Sequence, residues 1–235
     1  MHRVFAFVLL LATVAFVLAP YYTPSFSGFD PDRFPVRIEN PAVQPAPYAF
    51  SIWGVIYVWL ILHAGFGLWK RGDDPIWHRV RLPLTVAVVL GTVWLAIATS
   101  SPIWATEVIW VMAVASLAAF LIAPTEPDRW LLSAPIAMFA GWLTAAASVS
   151  TGILLAGYGV MGDTTSALVI LGAVLILALV MQSQKPRMPV YGLTIVWALV
   201  GVIVTNWPGN ALVAGAAAAG AALMLLATAV FWQRG

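Results

Sequence analysis

Apolar residues in this chain are gathered into long blocks, with the polar and charged positions collected between them. The blocks cover residues 4–20, 47–69, 82–99, 103–123, 130–152, 164–182, 189–206 and 210–232. Each approaches the ~20 residues that one helix needs to cross the hydrocarbon core of a bilayer. The alternating short stretches of a membrane β-barrel do not occur in the sequence. The pattern therefore predicts an all-α fold, a polytopic transmembrane helical bundle of about eight spans. Arg3 followed by the apolar run Val4 to Ala19 has the layout of a signal peptide. Pro20 is a poor residue to follow a cleavage site, so this block is read as the first span.

The longest polar interval runs from Tyr21 to Ala46, on the outer side of the expected topology. In and beside it lie Pro20, Pro24, Pro31, Pro35, Pro41 and Pro45, together with Asp30, Asp32 and Glu39. Proline at that density forbids a regular helix and favours an extended chain over the surface. Such a loop is either a solvated connector or a lid over an outward-facing cavity.

Composition strengthens the membrane assignment. Hydrophobic residues make up 62% of the chain and charged ones 9%, with a mean hydropathy of +0.95. A soluble domain carries about 25% charged residues, enough to cover a wetted surface, and this chain does not. The net charge of +2 does not indicate nucleic acid, because the basic residues are scattered singly between apolar blocks. They sort by side instead. Arg3, Lys70, Arg71, Arg79, Arg81, Arg129, Lys185, Arg187 and Arg234 fall on one side of the eight-span topology, and only Arg33 and Arg37 on the other. By the positive-inside rule, the N- and C-termini are expected in the cytoplasm, as for a multi-pass protein of a bacterial cytoplasmic membrane. Trp69, Trp77, Trp130 and Trp232 stand near that inner boundary, where an indole keeps its N–H wet and buries its ring. The absence of cysteine excludes disulfides, thiolate metal sites and cysteine nucleophiles.

A weak internal repeat is visible without gaps. Arg81-Leu-Pro83 is expected to open the third span and Arg187-Met-Pro189 the seventh, 106 residues later. The same offset carries Pro102 onto Pro208 and Ala105 onto Ala211, and Ser133-Ala-Pro135 stands near the halfway point. Spans three to eight are thus expected to form three helical hairpins in parallel orientation, a pattern found in transporters and elsewhere.

The second span opens Pro47-Tyr-Ala-Phe50-Ser-Ile-Trp53-Gly-Val-Ile-Tyr57. Pro47 suits a first helical turn, where its missing N–H removes no bond. Trp53 and Tyr57 share a face at i,i+4. Tyr57 lies about 15 Å down the helix at 1.5 Å per residue, too deep for an interfacial belt. Its hydroxyl needs a partner or a polar cavity at that depth.

Pro47, Phe50, Trp53 and Tyr57 resemble the start of the second helix in the TspO/MBR family, the tryptophan-rich sensory or translocator proteins. The stretch Leu132-Ser-Ala-Pro135 to Phe139-Ala-Gly141-Trp142-Leu-Thr144-Ala-Ala resembles the Pro…Trp…Ala helix of the same family, and is similar to a longer TspO-like branch. The resemblance covers roughly residues 1–152, as a five-helix region carrying the Pro-rich loop 21–46. Residues 153–235 then supply three additional helices, all within one integral membrane domain. The family's Leu-Asn pair has no match in the third span, where Thr92, Trp94 and Ala96 stand. What the resemblance implies is an intramembrane pocket for a flat apolar ligand, tetrapyrrole-like or lipid- or sterol-like, in which Pro47, Phe50 and Thr144 also take part.

Trp53, Tyr57, Trp94, Trp142 and Trp197 are all expected in the outer half of their spans or near the midplane. Large aromatics at similar depth on several helices either wall one cavity or pack as ordinary core. Among polar residues in the spans, His63 is a candidate ligand contact or a hydrogen-bonding tie between helices. Glu107 is placed to snorkel to water, or to rim an outer vestibule with Asn206 and Asp163. Thr144 and Ser148 share a face of the fifth span. Gly157-Tyr158-Gly159 lacks the preceding threonine and valine of a potassium filter and is read as a turn. The run Ala211 to Gly220 permits close packing or a homodimer through small-residue faces.

No nucleotide-binding loop, metal-ligand cluster or Ser/His/Asp set can be assembled at matched depth, so no enzyme activity and no required cofactor are expected. The sequence favours a binding or sensory membrane protein whose partners are membrane lipids and a hydrophobic small molecule, with a tetrapyrrole possible as ligand. The alternatives are a secondary transporter built on the hairpin repeat, against which stands the lack of deep charged residues, and an intramembrane enzyme acting on a lipid or pigment.

Overall fold

The computed structural model describes residues 2–23, 26 and 28–234. Pro24, one of the loop prolines above, lies outside the described residues. Among those residues, eight helices are long and apolar enough to cross a membrane, and no strand occurs. They are α1 (His2–Tyr22), α2 (Ile52–Trp69), α3 (Pro75–Ser100), α4 (Pro102–Ile122), α5 (Ala134–Gly157), α6 (Asp163–Gln184), α7 (Pro189–Asn206) and α8 (Ala211–Arg234). A 3-10 turn over Pro47–Ser51 leads into α2, and a π turn over Arg129–Ser133 leads into α5. The chain is an integral multi-pass membrane protein.

Proline occupies the first turn of α3, α4 and α7, where no intrahelical N–H is needed. The expected spans hold to within a few residues except at two ends. α3 starts at Pro75 rather than at residue 82, because Asp74 caps it by accepting from the Ile76 and Trp77 amides at 2.8 and 3.4 Å. Arg79 and Arg81 had suggested a boundary, yet Arg81 is buried within the helix. Its guanidinium is satisfied by the carbonyls of His2, Gly72, Gly67 and Arg71 at 2.8, 2.8, 3.3 and 2.6 Å. The other departure is α5, which continues to Gly157, past residue 152. Pro83 accordingly lies inside α3 while Pro189 is the first residue of α7, so the two prolines of the repeat do not occupy equivalent places.

α5 is the central helix, buried around most of its circumference. α1, α2, α5, α4 and α3 pack in that order into a closed ring, α6 and α7 pack on the far side of α5, and α8 packs on α6 and α7. The pairs α3–α4 and α7–α8 form the tightest antiparallel hairpins.

One end of the bundle gathers the basic segments. Arg3 pairs with Asp73 at 3.2 Å, Arg71 with Asp128 at 2.9 Å, and Lys185 donates to the Ala123 carbonyl at 2.6 Å. Arg129 lies over the Trp232 ring at 5.2 Å. These contacts bring the N-terminus, the α2–α3, α4–α5 and α6–α7 turns and the C-terminal helix end together, as an even number of spans requires. Trp69, Trp130 and Trp232 are exposed there. Trp77 is buried, contrary to a wet interfacial place. Its ring stacks on His63 at 4.9 Å and its indole N–H donates to Asp128 at 2.8 Å. Burial pushes the Asp128 carboxyl up, but the hydrogen bonds from Arg71 and Trp77 and the Arg71 charge outweigh it and hold the group below its ordinary value.

Candidate ligand cavity

The five-helix ring encloses a cavity of about 340 Å³. α1 lines it with Phe16, Ala19 and Pro20, and the turn into α2 adds Phe50, followed by Trp53 and Tyr57 of α2. α3 contributes Gly91, Trp94 and Leu95, α4 Ile109 and Met112, and α5 Trp142, Leu143 and Ala146. Phe26 enters from the connecting loop. A narrow annex of about 50 Å³ continues beneath that loop, past Phe29, Gln44 and Pro45 towards Ser150 and Ile153. Its wall shares Phe26, Phe50, Trp94 and Trp142 with the main chamber. No charged side chain is among the described residues lining either chamber.

Ring packing fixes the aromatic wall. Trp53 stacks on Tyr57 at 5.4 Å, and Phe16 meets both edge-on at 5.9 and 5.2 Å. Trp142 is held edge-to-face by Phe50 at 5.8 Å and by Trp53 at 6.2 Å. Phe26 lies edge-on to Trp94, whose indole N–H donates to the Ala105 carbonyl at 2.8 Å. Such offset and edge-to-face contacts add to area burial and restrict each ring to one pose. Gly91 opens the chamber on the α3 side, since a Cβ there would run into the Phe16 ring and lie 3.1 Å from Met112. The Tyr57 hydroxyl has no hydrogen-bond partner among the described residues.

The connecting loop is bound down over this end of the bundle. Arg33 donates to the Ser100 and Thr99 carbonyls at 3.0 and 3.2 Å, and the Val36 amide to Gly157 at 2.9 Å. Ala42 is held on both sides. Its amide donates to the Asp163 carboxylate at 3.1 Å, and its carbonyl accepts from the buried Asn206 side chain at 2.7 Å. The Ala46 amide donates to the Gly201 carbonyl at 3.0 Å, an approach that requires glycine because a Cβ would lie 2.7 Å from that of Pro45. The geometry is that of a cover, with its anchors on α3, α5, α6 and α7.

The structure brings Phe50, Trp53, Tyr57, Trp94 and Trp142 together around one space. Pro47 opens the turn that delivers Phe50 and does not touch the cavity. Trp197 lies on the other side of that turn, donating to the Ala49 carbonyl at 2.9 Å and packing edge-on against Tyr48. Thr144 is buried between α5 and α7, where it donates to Ala140 at 2.8 Å and accepts from the Tyr191 hydroxyl at 3.4 Å. His63 is buried at the basic end with its Nδ1 2.8 Å from the Leu131 carbonyl, tying α2 to the π turn. Glu107 is exposed on α4, while Asp163 and Asn206 meet at Ala42. Among the described residues no group of three or more His, Cys, Asp or Glu could hold a metal ion.

Sequence reasoning missed Phe16, Phe26, Gly91, Ile109 and Met112. Gly91 carried the one available signal, a small residue in mid-span where backbones or rings approach closely. Phe16, Ile109 and Met112 sit in uniformly apolar runs that give none.

No curated protein and no solved structure matches the chain. The sequence pattern described as TSPO-like protein matches residues 4–230, a stretch that takes in α6, α7 and most of α8 as well as the ring around the cavity. On that match, covering nearly the whole sequence, the chain belongs to the TSPO-like protein family.

Proposed function

We propose that this protein binds a flat, largely apolar small molecule in the aromatic cavity of the five-helix ring, in a sensory or transport-related role, with both termini in the cytoplasm. The observation that carries the reading is the convergence of Phe50, Trp53, Tyr57, Trp94 and Trp142 on one chamber of about 340 Å³. That volume lies within the range of small-molecule sites, which are concave, mostly apolar and carry a few polar groups. The cover formed by the connecting loop supports controlled access, since its anchors can be released one hydrogen bond at a time. The sidedness rests on the bias of basic residues to the opposite end.

The test is a titration of tryptophan fluorescence in lipid nanodiscs with porphyrins, haem and sterols. One of these classes is expected to quench saturably. Trp53→Ala, Tyr57→Ala and Trp142→Ala should each weaken the same ligand by about 1–3 kcal/mol, the cost of losing one buried aromatic contact. Unchanged affinity in all three variants, each confirmed to be folded, would count against the cavity as the binding site.

A further inference from the structure

We propose that the connecting loop is a size filter on the cavity. Beneath the closed loop the chamber takes a ligand of two to three fused rings, whereas a flat molecule as wide as a tetrapyrrole macrocycle binds only by lifting the loop. The proposal rests on the reading of the cavity as a ligand site. Volume sets the limit. An apolar protein cavity of about 150 Å³ holds one benzene ring, so the chamber of about 340 Å³ holds roughly two to three fused rings. The annex adds only about 50 Å³. A tetrapyrrole spreads four rings and their bridges in one rigid plane and cannot fold to fit.

The walls differ in what it costs to move them. Phe16, Trp53, Tyr57 and Trp142 stand on helices and lock one another by ring contacts. Shifting one of those helices would break close packing along its length. The loop side is built differently. Phe26 belongs to the walls of both chamber and annex, while Phe29, Gln44 and Pro45 line the annex, and none of the four lies on a helix. Separate hydrogen bonds at Arg33, Val36, Ala42 and Ala46 fasten this segment. Segments held in that way open locally at a small fraction of the global unfolding free energy. Lifting the loop withdraws Phe26, Phe29, Gln44 and Pro45 together and joins chamber and annex into one cleft along α5. A ligand that needs the lifted state binds with its intrinsic affinity reduced by the open fraction, and one that fits beneath the closed loop carries no such factor.

The experiment uses the full chain in nanodiscs, with each affinity referenced to empty nanodiscs. Two uncharged flat probes, anthracene and unsubstituted porphine, are read by their own fluorescence, and amide exchange in the loop is followed alongside. The two probes should displace each other. Saturating anthracene should leave loop exchange slow, and saturating porphine should accelerate it. Asn206→Leu loosens the loop from outside the cavity lining. It should raise porphine affinity by the same factor by which it raises loop exchange, roughly 5- to 150-fold, and leave anthracene affinity unchanged. Arg33→Ala, which frees an exposed anchor at the other end of the loop, should show the same equality and guards against misfolding of the first variant. Four results overturn the filter and leave the cavity reading standing: porphine seated while the loop stays closed, porphine affinity constant as loop exchange rises, no porphine binding even to the loosened variants, or loop exchange unmoved in both variants. Failure of anthracene to bind a protein of normal melting temperature, or to compete with porphine, overturns the cavity reading and this proposal with it.

Discussion

The cover over the cavity hangs on Ala42, and its release can be measured. Asn206→Leu removes the donor at 2.7 Å from the Ala42 carbonyl in a site where Asn206 is 4% exposed, so water does not replace the lost bond. Leaving one buried polar group unsatisfied costs about 1–3 kcal/mol. That cost falls on the local opening of the loop, and it corresponds to roughly 5- to 150-fold faster amide exchange at Ala42 and Ala46. Asp163→Ala takes away the acceptor of the Ala42 amide and should act in the same direction. Because both side chains hold one residue, the double variant should lose less than the sum of the two single losses. Hydrogen exchange read at peptide level reports this directly, and trypsin cutting after Arg33 or Arg37 gives an independent readout. Exchange at Ala42 and Ala46 as slow as in the wild type, with no faster tryptic cutting, would refute the idea that Asn206 latches the loop.

Other consequences are open to simpler assays. Topology reporters fused after Asp73, Glu126, Arg187 and Arg234 should all read cytoplasmic, and a periplasmic signal at any one of them would break the assigned sidedness. Asp128 is held below its ordinary value of 3.8, so its contribution to stability is present above that pH and lost as pH falls further through the lowered value. The wild type should therefore lose more thermal stability between neutral pH and the acid side of that value than Asp128→Asn does, and parallel losses would contradict the role of the Arg71–Asp128–Trp77 cluster. Gly91→Leu places a side chain against Phe16 and Met112 and fills part of the chamber, so ligand affinity should fall by at least about tenfold, or ~1.4 kcal/mol, beside a separate loss of about 1–3 kcal/mol in stability from overpacking. Undiminished affinity in that variant would locate the ligand elsewhere.

How the helices are rotated was the part hidden in the sequence. A helix of a soluble protein announces its buried face by polar residues on the other side. In a bilayer the lipid-facing side is as apolar as the core, and that signal disappears. Trp94 and Trp197 illustrate it: both are tryptophans at comparable expected depth, yet Trp94 lines the chamber while Trp197 packs outside it on Tyr48. Thr144 and Trp142, two residues apart on α5, likewise point to different neighbours, one to α7 and the other into the cavity wall. The Phe50, Trp53 and Tyr57 series was legible because its spacing on one helix carries the resemblance and its depth rules out an interfacial belt.

By itself the sequence determined the eight spans, the even number of crossings and the gathering of basic segments at one end, because hydrophobic length and isolated charges act locally against the bilayer. It also marked the proline-bearing starts of α5 and α7 and the aromatic entry to α2. Only the tertiary structure decided that α3 begins at Pro75 behind the Asp74 cap, and that four backbone carbonyls absorb the Arg81 guanidinium and let a basic residue sit inside the helix. It likewise decided which rings share a chamber, and that Asp163 and Asn206, 43 residues apart, meet on Ala42 to hold the loop over it. Those outcomes depend on helix rotation and on hydrogen bonds between distant segments, which follow from packing among helices and not from the hydropathy of any one of them.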